Sequence, residues 1–267
     1  MNYTIIGSKG FIGSSLEKKL KETGKSVQCI DKGTKPNHKK NYGTIFYCAG
    51  IKSNFDDLLY DIVRAHVSNL SCWLEQANFD HFVYLSSTRI YAEQSSGVES
   101  QRTLYLNADD LYNTTKILGE TICLKSKKNV TVARLANVVG YDPLSDVFLW
   151  SLFKEAKKNK CLNLNEAPSM KRNYILLEEA IYVLIKLANK SAKGIFNLAS
   201  TRALENKEFY QIIKKYKPLA EISYGHKLIN FPTFDVNKLF DTIQFKFSRS
   251  SEVVEKMAKQ YFQGKLK

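Results

Sequence analysis

The fold of this chain is decided by residues 3–31, YTIIGSKGFIGSSLEKKLKETGKSVQCID. The apolar run at 3–7 predicts a buried strand that ends at a glycine. Segment 11–23 has apolar residues at helical spacing and stops at Gly24, and the run at 26–31 predicts a second strand. A strand, a helix and another strand in this order are typical of a parallel β-α-β unit.

The same alternation continues along the chain. Further strands are predicted at 44–50, 81–87, 130–140 and 194–200, and helices at 54–78, 108–126, 146–159, 174–189, 205–216 and 250–263. This pattern predicts an α/β fold with a doubly wound parallel sheet. The alternation weakens after residue 141, and the pieces that follow are too few for a second complete domain. We therefore expect a sheet domain of residues 1–140, to which parts of 174–200 return, and a small C-terminal lobe made of 141–173 and 201–267.

The composition excludes several classes of protein. The net charge is +14, from 40 Lys and Arg against 26 Asp and Glu, but the lysines are scattered and no nucleic-acid-binding motif is present. We therefore predict no nucleic-acid partner. None of the five cysteines lies within metal-ligand spacing of another, which predicts no metal site and favours free thiols in a reducing compartment.

The sequence also lacks targeting and membrane features. The N-terminal MNYTIIG has no basic region followed by a long apolar core, which predicts no secretory signal. No apolar run approaches the roughly 20 residues that span a bilayer. The expected location is the cytoplasm, and no membrane span is expected.

The loop GSKGFIG joins the first strand to the first helix. Its glycines stand at intervals of three, where Gly7 would permit a tight turn, Gly10 a close approach to a pyrophosphate, and Gly13 close packing of helix on strand. Asp31 lies 18 residues past Gly13, where an acid binds the adenosine ribose hydroxyls of NAD. Lys9 and Lys32 lie close by, and either cation could tolerate a 2′-phosphate. The prediction is NAD, with NADP not excluded.

Tyr112 and Lys116 are four residues apart in a predicted helix, so they share one face. A phenol has a pKa of about 10, and a nearby ammonium would lower it. Such a pair can exchange a proton with a carbonyl that becomes an alcohol. The hydroxyls of Ser86, Ser87 and Thr88 end the preceding strand, at the sheet edge where such folds bind ligands.

In this order and spacing, GSKGFIG, Asp31, YCAG, LSSTRIY and YNTTK resemble the extended short-chain dehydrogenases/reductases that act on nucleotide sugars. RLANVVG at 134–140, KRNYILLEEA at 171–180 and FDVNKL at 234–239 extend the resemblance to nearly the whole chain. The resemblance implies a dinucleotide-binding Rossmann domain and a substrate-binding lobe. It also implies a nucleotide-sugar substrate, and dimerisation through a pair of helices is a habit of the family.

The resemblance implies a role for each matching residue. The catalytic residues would be Ser87, which holds the reacting oxygen, Tyr112, the acid/base, and Lys116, which binds the nicotinamide ribose and tunes Tyr112. The diphosphate of the sugar nucleotide would lie on Asn137 and Arg172, with Thr88 also in the substrate site. The cofactor would be held by Gly7, Gly10, Phe11, Ile12, Gly13, Asp31, Cys48, Ala49, Gly50, Asn69 and Lys116.

The sequence departs from the family pattern in two informative places. Dehydratases of the family carry an acidic pair after the catalytic hydroxyl, whereas Thr88 and Arg89 stand here, which argues against dehydration. Only 12 residues separate Asp31 from Thr44, too few for the usual third strand and helix.

The leading hypothesis is a reductase that acts on a keto group of a nucleotide-linked sugar, in the setting of surface-polysaccharide precursor synthesis. The alternative is a 4-epimerase with tightly bound NAD, which Asp31 mildly favours. A dinucleotide sensor without catalysis remains a third hypothesis, although such proteins typically lose the tyrosine or lysine that this chain keeps.

Overall fold

The structure is a computed structural model that describes residues 2–51, 58–100, 110–142, 147–159, 161–218 and 221–264. Its strands are β1 (Asn2–Ile6), β2 (Ser26–Ile30), β3 (Thr44–Tyr47), β4 (His81–Ser87), β5 (Val130–Leu135), β6 (Asn137–Val139), β7 (Cys161–Glu166), β8 (Lys171–Arg172), β9 (Tyr174–Leu176), β10 (Gly194–Leu198), β11 (Leu204–Glu205) and β12 (Glu221–Lys227). Its α-helices are α1 (Phe11–Glu22), α2 (Leu59–Val63), α3 (Asn69–Gln76), α4 (Leu111–Lys125), α5 (Phe148–Lys158), α6 (Leu177–Asn189), α7 (Asn206–Tyr216), α8 (Asn237–Ile243) and α9 (Ser250–Gln263). A π-helical turn at Arg64–Ser68 joins α2 to α3, and a 3₁₀ turn at Thr88–Tyr91 follows β4.

Six parallel strands form the central sheet, in the order β10-β5-β4-β3-β1-β2. The chain moves outward from β1 in one direction to β2 and in the other through β3, β4 and β5. This topology confirms the predicted α/β, doubly wound fold. In such sheets ligands bind beyond the carboxyl ends of the strands where the order reverses, which here is between β1 and β3.

Helices cover both faces of the sheet. On one face Leu16 and Leu20 of α1 pack with Ile181 and Leu184 of α6. On the other face α3 and α4 cover the sheet, and Trp73 of α3 is the largest buried side chain there. Full burial of a leucine-sized side chain stabilises the fold by about 1.5–3 kcal/mol. The helices packed on both faces therefore hold the strands, and with them the strand ends, in position.

A separate apolar cluster forms beyond residue 140. It unites α5, α7 and α9 with β7 and is centred on Trp150 and Phe153, which contact at 5.6 Å between ring centroids. Small pairs of strands, β6 with β9, β7 with β12 and β8 with β11, connect this cluster to the sheet domain. The lobe therefore stands beside the carboxyl ends of β4 and β5.

Several predicted boundaries differ from the structure. The helix predicted at 174–189 begins at Leu177, because residues 174–176 form β9 and pair with β6. A continuous apolar run such as YILL does not distinguish a strand from a helix by its periodicity. The predicted strand at 130–140 divides at Ala136 into β5 and β6, which belong to different sheets.

The described part of the chain also bears on two other expectations. Residues 31–43 contain no helix or strand, in agreement with the short distance between Asp31 and Thr44. Residues 54–57, 108–109 and 146, at the starts of three predicted helices, lie outside the described residues. Among the helices that are described, none combines the length and apolar character needed to cross a membrane.

Candidate functional site

A cavity of about 1250 Å³ opens at the carboxyl ends of β1, β3, β4 and β5 and extends into the lobe. The residues expected at the site mostly line it. They are Gly10, Phe11, Ile12, Gly13, Cys48, Ala49, Gly50, Ser87, Thr88, Tyr112, Lys116, Asn137 and Arg172. Gly7, Asp31 and Asn69 do not line it.

The three glycines of the loop differ in the space that a Cβ would find at each position. Gly7 has a φ of +87° and lies so close to β3 that a Cβ would stand 2.7 Å from the Ala49 nitrogen. A Cβ on Gly13 would collide with the Gly7 carbonyl oxygen. A Cβ on Gly10 would meet its nearest protein atom, that same oxygen, only at 3.4 Å. The fold therefore requires Gly7 and Gly13, whereas Gly10 leaves open space in front of the first turn of α1.

That first turn offers hydrogen-bond donors to the cavity. Gly10 is the N-cap of α1, no side chain caps it, and the first turn carries no acidic residue. The leading N–H groups of a helix have no partner within the helix and attract anions. Together with the space at Gly10, this arrangement fits a dinucleotide diphosphate.

Asp31 lies beside this loop but outside the cavity lining. The register pairs Ile6 with Ile30, which places Asp31 next to Gly7 at the edge of the sheet. Its carboxylate is exposed and forms an ion pair with Lys9, with 3.0 Å between Oδ1 and Nζ. Lys32 pairs instead with Asp61, at 3.5 Å. The adenosine end of the predicted cofactor site therefore carries both signs of charge.

Asn69 does not line the cavity; His66, one turn earlier, does not line it either but lies behind Gly50. Asn69 is exposed on α3, whereas His66 is fully buried in the π-helical turn. His66 Nε2 accepts a hydrogen bond from the Ile51 N–H at 3.3 Å, directly behind Gly50. The extra residue of a π-turn rotates the helix faces, which a 3.6-residue period does not anticipate.

Ser87, Tyr112 and Lys116 converge at the carboxyl end of β4. Ser87 and Tyr112 both line the cavity here, and the Ser87 hydroxyl interacts with the Tyr112 phenol in the sense that lowers its pKa. Lys116 Nζ donates to the Leu85 carbonyl at 2.9 Å and lies 5.9 Å from the centre of the Tyr112 ring. An ammonium has three donors, and this is its one hydrogen bond to the described residues. Its remaining donors fit the hydroxyls of a nicotinamide ribose.

Burial controls the protonation of this group. It raises the pKa of Tyr112, and the Ser87 hydrogen bond and the Arg89 charge only partly oppose it. The pKa of Tyr112 is therefore raised, whereas the spacing of Tyr112 and Lys116 predicted that the ammonium would lower it. Burial also lowers the pKa of Lys116 to about 8, against an upward contribution from Glu120. Near neutral pH Tyr112 is therefore a protonated phenol.

Asn137, Thr88 and Arg172 lie on the lobe side of the cavity. Asn137 Nδ2 donates to the Asn173 carbonyl at 2.8 Å, and the buried Thr88 donates to the Leu135 carbonyl at 3.4 Å. The Arg172 guanidinium stacks 3.7 Å from the centre of the Phe148 ring. It also donates to Asn206 at 2.7 Å and to Glu166 at 2.8 Å. These contacts hold the guanidinium in place, and one of its partners is already an acid.

Sequence reasoning missed several residues of the site. Arg89 lines the cavity next to Ser87 and pairs with Asp110. In the sequence it stood out only because family dehydratases carry an acid at this position. Residues 227–234 form a wall of the cavity, through Lys227, Ile229, Phe231, Pro232 and Phe234. Between Lys227, the last residue of β12, and Phe234, the first residue of the FDVNKL segment, no periodicity or motif marks this wall, which is held by long-range contacts such as the bridge between Gly97 and Phe234.

The comparison with known sequence families is decisive for membership. The profile of the "NAD dependent epimerase/dehydratase family" matches residues 40–199, more than half of the chain. The chain belongs to the NAD-dependent epimerase/dehydratase family. This confirms the resemblance stated from the sequence, and with it an NAD(P)-dependent enzyme, in agreement with the predicted NAD cofactor.

Solved structures show the same fold over the whole chain. MoeE5 in complex with UDP-glucose and NAD aligns with a TM-score of 0.80 at 17% identity, covering 100% of both chains. A UDP-galactose 4-epimerase aligns with a TM-score of 0.79 at 18% identity, again over 100% of both. RMD from Pseudomonas aeruginosa, complexed with NADPH, aligns at 0.77 and 15% identity, covering 99% of this chain and 100% of that one. A search among curated protein sequences found no match.

The description of the family covers both epimerases and dehydratases, so membership leaves the reaction itself open. Within the described residues no group of three or more His, Cys, Asp or Glu side chains could hold a metal ion.

Proposed function

We propose that this protein is a nucleotide-sugar oxidoreductase that reduces a keto group of a nucleotide-linked keto-sugar. The observation that supports it is the state of Tyr112, a buried phenol whose pKa is raised by burial and which lines the same cavity as Ser87. Reduction of a ketone needs a proton donor at the carbonyl oxygen, and a phenol that keeps its proton at neutral pH is ready for this role.

Each of the three convergent side chains has a task in this proposal. NAD(H), when bound, gives or takes hydride at its nicotinamide ring. Tyr112 donates its proton to the carbonyl oxygen of the sugar. Ser87 hydrogen bonds to that same oxygen and stabilises the charge that develops there. Lys116 holds the ribose hydroxyls with the ammonium donors that Leu85 leaves free.

We propose the division of labour that the sequence predicted. Residues 1–140, with parts of 174–200, would bind the dinucleotide, and the lobe of 141–173 and 201–267 would bind the sugar nucleotide. Arg172 and Asn137 lie on the lobe side of the cavity, and a guanidinium held over Phe148 suits a diphosphate. Arg172→Met should weaken binding of the sugar nucleotide without affecting NADH affinity.

A 4-epimerase is the second candidate, and Asp31 beside the glycine loop supports it. An acid at this position suits a firmly held NAD, as a redox-neutral cycle requires. The two reactions differ in what the purified protein contains and consumes. Co-purified NAD without net turnover indicates an epimerase, whereas stoichiometric oxidation of NADH or NADPH with a 4-keto-sugar nucleotide indicates the reductase.

Tyr112→Phe tests the acid/base role in either reaction. Loss of the proton donor should lower kcat by about 10²–10⁴-fold. Removal of the hydroxyl leaves the ring in place, so melting temperature and NADH affinity should stay near their wild-type values. Wild-type turnover in Tyr112→Phe would refute the proposed acid/base chemistry. If neither the wild-type protein nor Tyr112→Phe binds NADH, the proposed cofactor site is wrong.

We further propose a homodimer and a biosynthetic setting, the synthesis of surface-polysaccharide precursors. For the dimer, α4 exposes Leu118 and Leu124 and the adjacent α2 exposes Leu59 and Tyr60. Light scattering of wild type and of Leu118→Lys/Leu124→Lys checks it: a dimer that becomes a monomer supports the pairing through α4, and a wild-type monomer refutes it.

A further inference from the structure

Arg89 connects the strand end that carries Ser87 to the helix that carries Tyr112. The Arg89 backbone N–H donates to Ser87 Oγ at 3.1 Å, and its carbonyl accepts a hydrogen bond from Asn113 Nδ2 at 3.3 Å. The 3₁₀ turn after β4 is thereby fastened to the first turn of α4. The two hydroxyls that form the catalytic pair depend on this junction for their separation.

The side chain of Arg89 reinforces the same junction. Its Nη2 lies 3.2 Å from Asp110 Oδ2, and the other oxygen of Asp110 accepts the Asn113 N–H at 2.9 Å as the N-cap of α4. One carboxylate therefore both caps the helix and holds the guanidinium. The guanidinium carbon lies 5.9 Å from the centre of the Tyr112 ring.

Five groups with a titratable or charged side chain face Tyr112 from the elements around it. They are His66 in the π-helical turn, Tyr84 on β4, Arg89 in the 3₁₀ turn, Asp110 at the helix cap and Lys116 one turn along α4. His66 is neutral near pH 7, since burial lowers its pKa to about 3. Burial raises the pKa of Tyr84 well above 10, so Tyr84 is neutral as well.

The two remaining groups, Lys116 and Arg89, differ in the pH range over which they stay positively charged. Lys116 is buried, and with a pKa of about 8 it loses its charge before Tyr112 ionises, since burial raises the pKa of Tyr112. A guanidinium remains charged throughout this range. Arg89 is therefore the cation beside Tyr112 that persists when the phenol gives up its proton.

We propose that Arg89 is a positioning residue of this enzyme, which holds Tyr112 against Ser87 and supplies the permanent positive charge that stabilises the phenolate form. The proposal rests on the acid/base role of Tyr112 in the proposed function. No atom of Arg89 needs to touch the substrate, because the guanidinium acts through Tyr112.

The ionisation of Tyr112 itself tests the proposal, without substrate or cofactor. Protein with ¹³C-labelled tyrosine is titrated by NMR, and the Tyr112 resonance is the one missing from Tyr112→Phe. In Arg89→Gln the midpoint should move upward by about 0.5–1 pH unit, since a partly exposed cation is lost. In Asp110→Asn it should move downward, because Asn still caps the helix while the acid that opposes ionisation is gone.

Matched variants separate charge from structure. Arg89→Lys keeps a positive charge but loses the guanidinium that donates to Asp110. The upward shift of the Tyr112 midpoint should therefore be smaller than in Arg89→Gln. Arg202→Gln removes an exposed arginine that pairs with Glu208, and it should leave the midpoint unchanged. Circular dichroism of each variant shows whether α4 is intact, and if Arg89→Gln fails to fold, Arg89→Lys and Asp110→Asn still give shifts of opposite sign.

Turnover distinguishes the failure of this proposal from the failure of the proposed function. With a keto-sugar nucleotide, Arg89→Gln should lower kcat by at least about tenfold with little change in KM for NADH. If Tyr112→Phe is inactive but Arg89→Gln titrates and turns over like wild type, Arg89 has no positioning role. If Tyr112→Phe is fully active, the acid/base assignment fails first.

Discussion

Glu120 on α4 and Arg134 on β5 form a buried ion pair, with 2.7 Å between Oε2 and Nη2. Three neighbours complete it: Ser86 donates to Glu120 at 2.5 Å, Arg134 donates to Tyr91, and Tyr91 donates to Asn197 at 3.0 Å. Glu120 lies one helical turn beyond Lys116, and Ser86, which donates to Glu120, directly precedes Ser87. A saturated polar network thus supports the proposed catalytic side chains from inside the fold.

Removal of one partner of this pair should cost more than its mutual attraction. Arg134→Met leaves the Glu120 carboxylate buried without its cation, and the free energy of unfolding should fall by about 3–5 kcal/mol. Glu120→Met/Arg134→Met leaves no unpaired charge and should recover much of this loss. Urea denaturation measures both, with Arg202→Met as the surface control, expected to cost less than about 1 kcal/mol. Equal losses in the single and double variants would contradict this account.

The glycine loop offers a pair of substitutions with opposite expectations. Gly10→Ala should fold normally, because its Cβ has room among the protein atoms, yet it should weaken NADH binding by about tenfold or more. Gly13→Ala should destabilise the fold itself, because its Cβ collides with the Gly7 carbonyl. Thermal unfolding and fluorescence titration with NADH separate the two effects. Full NADH affinity in Gly10→Ala would place the diphosphate elsewhere.

The ion pair between Lys9 and Asp31 should set the balance between NADH and NADPH. Asp31→Ala removes the acid that repels a 2′-phosphate and leaves Lys9 unpaired, so NADPH affinity should rise relative to NADH, by about tenfold. Lys9→Ala should shift the ratio the other way. Dissociation constants for both dinucleotides measure the ratio, and Lys25→Ala, a change at an exposed lysine just before β2, serves as control. An unchanged ratio in both variants would exclude this edge as the adenosine site.

His66 should make the protein sensitive to acid. Burial lowers its folded-state pKa to about 3, below the unfolded value of about 6.5. The unfolded chain therefore binds the proton more tightly, so this contribution to stability is complete above about pH 6.5. It falls by up to about 1.4 kcal/mol per unit as the pH drops toward 3.

His66→Gln removes this titration, and its unfolding free energy should depend less steeply on pH between about 6 and 4. His226→Gln, a change at an exposed histidine, should retain the wild-type slope. Urea unfolding at several pH values provides the measurement. Parallel curves for wild type and His66→Gln would show that His66 does not titrate as its burial requires.

The glycine loop and the position of Tyr112 and Lys116 on one helix face were predictable because local rules govern them. The interval of three in GSKGFIG and the interval of four between Tyr112 and Lys116 follow from the geometry of a strand-to-helix turn and of a helix face. The alternation of strands and helices likewise determined the parallel sheet. Asn69 shows the limit of this reasoning, since the π-helical turn at Arg64–Ser68 changes the phase of the helix before it, and Asn69 is exposed and does not line the cavity.

By itself the sequence determined the class of fold, the family and the candidate catalytic residues, because each depends on residues close together in the chain. Only the tertiary structure decided the direction of the Tyr112 pKa shift, the pairing of Asp31 with Lys9, and the junction between Arg89 and Asp110. Burial depends on every element that packs around a group, and salt bridges between distant segments depend on the register of the sheet. Neither quantity is encoded in the spacing of a motif.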